Sequence, residues 1–412
     1  MTPPETTTQP PAIRRISPRP LGLHLMSAAM SLTGAAAALP LARRGLIRWH
    51  PALAAEAEAL TAEIAESDET DLTLAVMEQV QERLSATLRG IELYQGHGYA
   101  RRVTEPPAAW EQGPARLLDF GGGGRPVLFA PSLVNRAHVL DLDEGASLMR
   151  WLAGRGRVRP MLMDWGAPAG PVRGYGTADY VTGPLADALA HVAEMAGGPA
   201  PLVGYCMGGT LSAAAAQLYP DRVSALGLLA APWDFHASLS PQAKVYAGSV
   251  GFWRPVLEAF GEMPVDLLQS FFAALDPNLA QRKFEAFSRL DMDSPEARRF
   301  VALEDWLNDG VPLTARVAEE TLNGWFGQNR AATGHWLIDG VVIDPARIAA
   351  PAFVAIPEKD RIVPPASAAA LAALLPGATT LRLPAGHIGM VVGRHAETTL
   401  WRPLERWLAA VE

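Results

Sequence analysis

The stretch "PLVGYCMGGTLSAAAAQLYP", residues 201–220, is the feature of the sequence that most constrains the fold. A short apolar run leads directly into an alanine-rich segment, and glycines stand at positions 204, 208 and 209 around the junction. Glycine permits a sharp backbone turn and lets a strand and a helix approach closely. The stretch therefore predicts a strand, a tight turn and a helix, with Cys206 at the tip of the turn.

Short apolar runs separated by helical stretches continue this pattern over much of the chain. The predicted strands are "RPVLFAPSL", "VRPMLMDW", "PAPLVGYC", "VSALGLLAAPW", "PAFVAIPEKD" and "TTLRLPAG", and a helix over residues 179–197 is expected between the second and third. Such alternation is typical of a mostly parallel sheet flanked by helices. A long interruption, about residues 236–348, holds twelve phenylalanines and tryptophans. We expect a helical, aromatic-rich cap insertion there, with most of these rings in the core.

The N-terminal part has a different character. We predict a Pro/Thr-rich tail and an apolar segment over residues 1–45, a helical region over 46–110, and the catalytic domain over 111–412. The uncharged run at residues 21–42 follows Arg14 and Arg15, as a signal peptide or membrane span would. Its Ala, Gly and Ser content and the interruption at Pro40 favour a helix that packs against the core or a partner. The expected location is cytoplasmic.

Composition excludes several kinds of function. The net charge of −8 and the pI near 5.7 argue against nucleic acid as a partner, since phosphate binding needs basic patches. Cys206 is the only cysteine, so an intrachain disulfide and a zinc site of several cysteines are both excluded. No metal site is predicted. A single thiol is either a buried small residue or a nucleophile, and the glycine-framed turn favours the nucleophile.

The fold class that these elements predict is α/β, and more specifically the α/β-hydrolase fold. Its catalytic residues follow the chain order nucleophile, acid, histidine. His387, on a loop after the last predicted strand, fits the histidine, whereas His395 is expected on the surface. Asp360, after the preceding strand, fits the acid; Asp234 competes with it, and a purely structural capping role for Asp360 stays open.

Two backbone groups are candidates for stabilising an oxyanion. The N–H of Met207 lies at the start of the predicted helix, where the helix dipole also lowers the pKa of a thiol. A second donor should come from the turn after the first predicted strand, from the backbone of Leu133 or Val134.

The sequence resembles the polyhydroxyalkanoate synthases over roughly residues 90–410. The resemblance is closest to the short catalytic subunit of the two-subunit type, and it rests on "LVNRAHVLDL", "SLMRWLAGRG", "MDWGAP", "VGYCMGGT", "WDF", "DRIVPP" and "AGHIGMVVG". It implies that Cys206 carries the growing acyl chain, that His387 is the general base and that Asp360 is the triad acid. The segment "VALEDWLND" resembles the family's tryptophan-bearing segment around Trp306, a candidate substrate-binding residue.

The resemblance implies an acyltransferase that polymerises (R)-3-hydroxyacyl-CoA with release of CoA. The CoA thioester is the substrate and no separate cofactor is expected. The implied partners are the growing polyester or its granule surface, and the sequence leaves open a homodimer and a second, activating subunit. A cysteine suits this chemistry because attack on a thioester yields another thioester, which keeps the acyl group ready for transfer to a hydroxyl.

One position departs from the family. Arg361 stands directly after Asp360, where the family usually has histidine. Its guanidinium would either pair with Asp360, meet a phosphate of CoA, or simply reach solvent. A thioesterase or esterase with the same triad therefore remains an alternative, as does a non-catalytic subunit.

Overall fold

The computed structural model describes residues 15–238 and 250–411, which form two compact units. One unit comprises residues 15–100 and 276–304, and the other comprises the described residues of 101–275 and 305–411. Residues 276–304, which lie inside the predicted cap insertion, thus belong to the same unit as the N-terminal region. A Pro/Thr-rich tail is expected over residues 1–20, of which residues 1–14 lie outside the described residues. The expectation is wrong for residues 15–20, because Arg15 is buried and donates hydrogen bonds to the carbonyl oxygens of His97 and Tyr99.

The helices, numbered along the chain, have the following bounds: α1 Leu21–Arg43, α2 Ala54–Glu66, α3 Glu69–Gln95, α4 Leu148–Arg155, α5 Thr177–Tyr180, α6 Ala186–Ala196, α7 Met207–Leu218, α8 Val250–Phe260, α9 Val265–Leu275, α10 Leu279–Phe287, α11 Pro295–Asn308, α12 Ala315–Glu319, α13 Pro365–Leu374, α14 Gly389–Val392 and α15 Arg402–Ala410. Short 3₁₀ or wide helical turns occupy Pro51–Leu53, Ala137–Leu140, Gly170–Gly174, Val181–Leu185, Glu320–Gly327, Pro345–Arg347 and Glu397–Trp401.

The strands have these bounds: β1 Ala108–Gln112, β2 Ala115–Asp119, β3 Arg125–Ala130, β4 Val158–Asp164, β5 Ala200–Tyr205, β6 Val223–Leu229, β7 Glu262–Met263, β8 Leu313–Thr314, β9 Leu337–Ile338, β10 Val341–Val342, β11 Ala352–Pro357 and β12 Thr379–Leu383. Eight of them form one sheet in the order β1-β2-β4-β3-β5-β6-β11-β12. The pairs β7 with β8 and β9 with β10 are separate two-stranded ribbons.

The eight-stranded sheet confirms the predicted mostly parallel α/β architecture. All pairings from β4 to β12 across the sheet are parallel, and only β1 with β2 and β2 with β4 are antiparallel. The six predicted strands are β3, β4, β5, β6, β11 and β12. Strands β5 and β11 are buried along their whole length because helices cover both faces of a parallel sheet.

The predicted continuous helix over residues 179–197 is wrong in one respect. The backbone leaves helical geometry at Gly183 (φ −99°, ψ −107°), so α5 and α6 are separated by the wide turn Val181–Leu185. Pro184 follows this point directly and has no N–H to donate to the preceding turn. The break is the local result of a Gly-Pro pair inside an otherwise helical pattern.

The unit of residues 15–100 and 276–304 is helical. Its core joins Tyr94 of α3 to Phe284 of α10 and Phe300 of α11, with ring centroids 5.7 and 6.5 Å from Tyr94. A Cβ on Gly90 would lie 2.0 Å from the carbonyl oxygen of Phe284, so the backbones of α3 and α10 touch at that point. This contact between segments almost two hundred residues apart requires glycine at position 90.

Helix α1 belongs to this helical unit. It contacts α2, α3 and α10, its residues Ala28, Leu32 and Ala42 are buried, and Ser27 Oγ donates a hydrogen bond to the carbonyl oxygen of Pro277 (2.9 Å). Most of the other residues of α1 are exposed or half-buried. Among the described residues, α1 is the one helix with the length and composition that a membrane crossing requires.

Candidate active site

Cys206 lies between β5 and α7, at the turn that the sequence predicted. Its backbone has φ 57° and ψ −131°, a conformation that residues with a side chain rarely adopt. Two hydrogen bonds stabilise the turn. The N–H of Cys206 donates to the carbonyl oxygen of Leu229 (2.9 Å), and the N–H of Gly209 donates to the carbonyl oxygen of Cys206 (2.8 Å). The thiol is half-buried at the N-terminus of α7.

Gly208 explains why the turn and the end of β3 can approach each other. A Cβ at this position would lie 2.2 Å from the carbonyl oxygens of both Ala130 and Pro131. A side chain there would have to push β3 and its following loop away from the start of α7. The glycine therefore keeps the loop after β3 beside Cys206.

Asp360 lies in the loop after β11 and is 5% exposed. Its Oδ1 accepts hydrogen bonds from the backbone N–H groups of Ile362 and Val363, both at 2.8 Å. These bonds hold the carboxylate in one orientation, and its Oδ2 lies 2.6 Å from Nδ1 of His387. The helix after this loop, α13, has Pro364 at its N-cap and no side-chain cap.

His387 lies between β12 and α14 and is 7% exposed. Because Nδ1 is bound to Asp360, Nε2 is the nitrogen left for Cys206, which lies close enough to raise the pKa of His387. Burial by itself lowers the pKa of His387, but the charges of Cys206 and Asp360 and the hydrogen bond to Asp360 raise it from 6.5 to about 10. The surroundings therefore favour a charged imidazolium between the sulfur of Cys206 and the carboxylate of Asp360.

Tyr205, directly before the cysteine, supports the histidine loop. Its hydroxyl donates a hydrogen bond to the backbone carbonyl oxygen of His387 (3.2 Å), and the two rings lie 5.1 Å apart at 33°. Burial, together with Cys206 and Asp360, raises the pKa of Tyr205 well above its usual value, so the hydroxyl keeps its proton. Sequence reasoning missed this residue because nothing local relates position 205 to position 387.

The two oxyanion candidates in the loop after β3 differ in the structure. The N–H of Val134 donates to Oγ of Ser132 at 3.0 Å, so that donor is already used. Leu133 and Met207 are both buried and lie in the same apolar cluster as the half-buried Cys206. Ser132 gave no signal in the sequence, because a serine two residues before a candidate donor is common in loops.

Trp306 is buried against the same loop. Its Nε1 donates to the carbonyl oxygen of Arg136 at 2.8 Å, and Asp309 forms an ion pair with the side chain of Arg136 at 2.7 Å. Nearby, Nε2 of Gln269 donates to Oδ1 of Asn135 at 3.3 Å. Trp306, Asp309 and Gln269, all in the predicted insertion, thus bind the loop that follows β3 through hydrogen bonds and an ion pair.

Asp234, the competing acid, has a different set of partners. Its Oδ1 accepts from Nδ2 of Asn329 (2.8 Å) and from the backbone N–H groups of His236 (2.9 Å) and Ala237 (3.0 Å). The carboxylate that contacts the histidine ring is that of Asp360. The structure therefore brings Cys206, Asp360 and His387 together. Asp234 lies instead in a turn, which its carboxylate stabilises.

The remaining sequence candidates lie on the surface. Arg361 is exposed in the loop after β11, and His395 is exposed just before the turn Glu397–Trp401, where its Nε2 accepts a hydrogen bond from Arg394 (2.9 Å). Within residues 15–238 and 250–411, no group of three or more His, Cys, Asp or Glu residues could hold a metal ion.

The model of the α/β hydrolase fold family matches residues 164–393, more than half of the chain. The match contains Cys206, Asp360 and His387. Together with the parallel sheet and the strand-turn-helix at Cys206, it makes the chain an α/β hydrolase fold protein.

Three relatives define a narrower family. "Poly(3-hydroxyalkanoate) polymerase subunit PhaC" of Synechocystis sp. is 30% identical over 293 residues, which cover 69% of this chain and 77% of the relative. Proteins with the same name are 30% identical over 291 residues in Haloferax mediterranei and 27% identical over 287 residues in Allochromatium vinosum. The chain belongs to this PhaC family, which confirms the resemblance inferred from the motifs. It spans 58% of the length of the Haloferax protein and 80% of the Allochromatium protein.

Proposed function

We propose that the protein is an acyltransferase that polymerises (R)-3-hydroxyacyl groups from CoA thioesters into a polyester, through a thioester on Cys206. The observation that carries the proposal is a buried His387–Asp360 pair near a half-buried cysteine, which lies at a strained strand-to-helix turn and raises the pKa of His387. The family supplies the substrate class, because its members are named poly(3-hydroxyalkanoate) polymerases.

In the loading step, the sulfur of Cys206 attacks the carbonyl carbon of the acyl-CoA. His387 holds the proton that the thiol has lost, and Asp360 stabilises the resulting imidazolium. The tetrahedral oxyanion collapses, the bond from carbon to the CoA sulfur breaks, and the leaving CoA thiolate takes the proton from His387. The acyl group is then a thioester of Cys206, and His387 is neutral.

The oxyanion of that step needs donors that are free and correctly placed. We assign them to the backbone N–H groups of Met207, at the first position of α7, and of Leu133. Leu133 is preferred to Val134 because the N–H of Val134 is already bound to Ser132 Oγ. Dipoles that are fixed before the reaction stabilise developing charge at little reorganisation cost.

In the transfer step, neutral His387 takes the proton of a 3-hydroxyl group, and the oxygen of that hydroxyl group attacks the thioester carbon. An ester bond forms, the bond from carbon to Cys206 sulfur breaks, and the thiolate is restored beside the imidazolium. A serine in place of Cys206 would hold the acyl group as an ordinary ester, which is a poorer donor to an alcohol. The cysteine thus matches transfer to a hydroxyl.

Water must be kept from the acyl-enzyme, and buried aromatic residues can exclude it. They lie in the unit that contains Cys206, the described residues of 101–275 and 305–411, which we call the catalytic unit. Phe235 stacks on Trp325 (centroids 5.3 Å apart), and Trp325 meets Trp336 edge to face at 5.2 Å. These rings are part of the same apolar cluster as Cys206. We propose that the insertion excludes water from the site, as a cap would.

Two residues have proposed roles in substrate binding. Trp306, which donates to the carbonyl oxygen of Arg136, would keep the loop after β3 in place and border the space for the acyl group beside Cys206. Arg361, exposed beside Asp360, would meet a phosphate of CoA at the entrance. The partners proposed are the growing polyester at a granule surface and a further subunit, either a second copy or an activating partner, since the relatives are named as subunits.

The experiment is to incubate the full chain with (R)-3-hydroxybutyryl-CoA and to analyse both protein and product. Intact-protein mass spectrometry should show one added hydroxybutyryl group, absent in Cys206→Ala, even where turnover requires a second subunit. Over longer times, CoA release should be accompanied by insoluble polyester. Release of CoA with free 3-hydroxybutyrate and no polyester would replace the polymerase by a thioesterase, and an unmodified protein would exclude both.

A further inference from the structure

Helix α1 exposes large apolar side chains to solvent. Met26 is 57% exposed and Met30 is 68% exposed, and Leu41 near the end of the helix is also exposed. The side of α1 that carries Ala28 and Leu32 is buried within its helical unit. The exposed side therefore stays available for a partner while α1 remains part of the folded unit.

The charge around α1 differs from that of the rest of the chain. Residues 6–55 contain no Asp or Glu, although the whole chain has a net charge of −8. The arginines of this range are Arg14, Arg15, Arg19, Arg43, Arg44 and Arg48. Directly after the helix, Arg44 and Arg48 are exposed and alternate with Leu46, 63% exposed, and Trp49, 40% exposed. A long apolar helix thus ends in a basic segment with an exposed tryptophan.

We propose that the exposed side of α1 and the basic segment after it bind an anionic phospholipid surface. This part of the protein is called the α1 surface, and it consists of Met26, Met30, Leu41, Arg44, Leu46, Arg48 and Trp49. Arginines are attracted to anionic headgroups, tryptophan prefers the boundary between headgroups and acyl chains, and methionine and leucine insert below it. The proposal concerns a surface outside the catalytic unit and does not depend on the polymerase activity.

The charges favour lipid over two other occupants. Against a neutral polyester, Arg44 and Arg48 would gain no electrostatic attraction and would lose hydration. In a symmetric dimer through this surface, the same patch of each copy would face the other, and the arginines would lie near each other without acidic partners in residues 6–55. An anionic lipid surface uses the basic and the apolar residues together.

The test is flotation of the full chain with vesicles. Binding is expected to vesicles of phosphatidylglycerol and phosphatidylcholine in equal parts, to be much weaker with phosphatidylcholine alone, and to fall as salt increases. Arg44→Gln/Arg48→Gln should lower the partition constant about 25-fold, since each arginine contributes about fivefold near an anionic surface. Met26→Gln/Met30→Gln should lower it about tenfold through lost insertion.

Matched variants in the same helical unit serve as controls. Arg298→Gln/Arg299→Gln removes two exposed arginines of α11, and Leu74→Gln/Met77→Gln removes two exposed apolar residues of α3. Both should bind anionic vesicles as the parent does, and all variants should melt at the parent temperature. Equal binding to neutral vesicles, equal loss in the controls, or variants that change only the oligomeric state in size-exclusion chromatography would each overturn the proposal.

Discussion

Replacing Asp360 by asparagine tests the proposed role of the His387–Asp360 pair directly. Asparagine keeps an oxygen that can accept the N–H groups of Ile362 and Val363, which Oδ1 now binds at 2.8 Å, so the loop should keep its shape. The amide then faces Nδ1 of His387 in place of the carboxylate. If its NH₂ group donates to Nδ1, the proton of a neutral imidazole moves to Nε2, which can no longer accept one from the thiol.

The size of the effect follows from the pKa of His387. The rise from 6.5 to about 10 corresponds to about 5 kcal/mol in favour of the imidazolium. Asp360 supplies part of this free energy through its charge and its hydrogen bond, and a hundredfold loss of rate corresponds to about 2.7 kcal/mol. We therefore expect the rate of CoA release to fall about a hundredfold or more.

The same variant should change the pH dependence. Because the pKa of His387 is raised in the folded protein, its contribution to stability is complete below about pH 6.5 and is lost as the pH approaches 10. In Asp360→Asn, this loss of stability should be smaller, and the high-pH limb of the rate profile should move to lower pH. Thermal melts and initial rates of CoA release across this pH range measure both.

Asp234→Asn is the matched control, because it makes the same substitution in a carboxylate that contacts Asn329 instead of the histidine. We expect its rate to stay near that of the parent and its stability to fall by about 1 kcal/mol. If Asp234→Asn lost the hundredfold and Asp360→Asn did not, the assignment of the acid would be wrong.

Four further predictions concern other parts of the protein. Cys206→Ala should abolish CoA release without changing the melting temperature, and Cys206→Ser should be folded but severely slowed; turnover by the alanine variant would remove the thiol from the mechanism. Tyr205→Phe should lower kcat about tenfold with little change in KM, because the hydrogen bond that steadies the histidine loop is lost; steady-state kinetics with a melting curve measure this, and an unchanged kcat would contradict it. Arg361→His should raise the KM for acyl-CoA more than it changes kcat, with a penalty that shrinks as salt increases; a loss confined to kcat and the pH profile would instead connect the arginine with the catalytic acid. Gly90→Ala should lower the melting temperature, because its Cβ would lie 2.0 Å from the carbonyl oxygen of Phe284; an unchanged melting curve would show that α3 and α10 separate easily.

The sequence predicted the parts of the fold that depend on local patterns. The strand-turn-helix around Cys206 is visible because an apolar run, three glycines and an alanine-rich helix follow one another directly. Strands β1 and β2 were missed, since "AAWEQ" and "ARLLD" are short and partly charged and their strand character comes from antiparallel pairing at the sheet edge. The identities of Asp360 and His387 as candidates likewise came from their places after predicted strands.

Only the tertiary structure decided how distant segments meet. The sequence determined a parallel α/β fold and the order of its candidate nucleophile, acid and histidine, because periodicity and turn residues act over a few positions. It could not show that Tyr205 holds the carbonyl of His387, that Ser132 occupies the N–H of Val134, or that α10 packs on Gly90. These contacts depend on where the folded chain places atoms that are far apart in sequence or compete for one donor, and packing and hydrogen-bond geometry alone settle them.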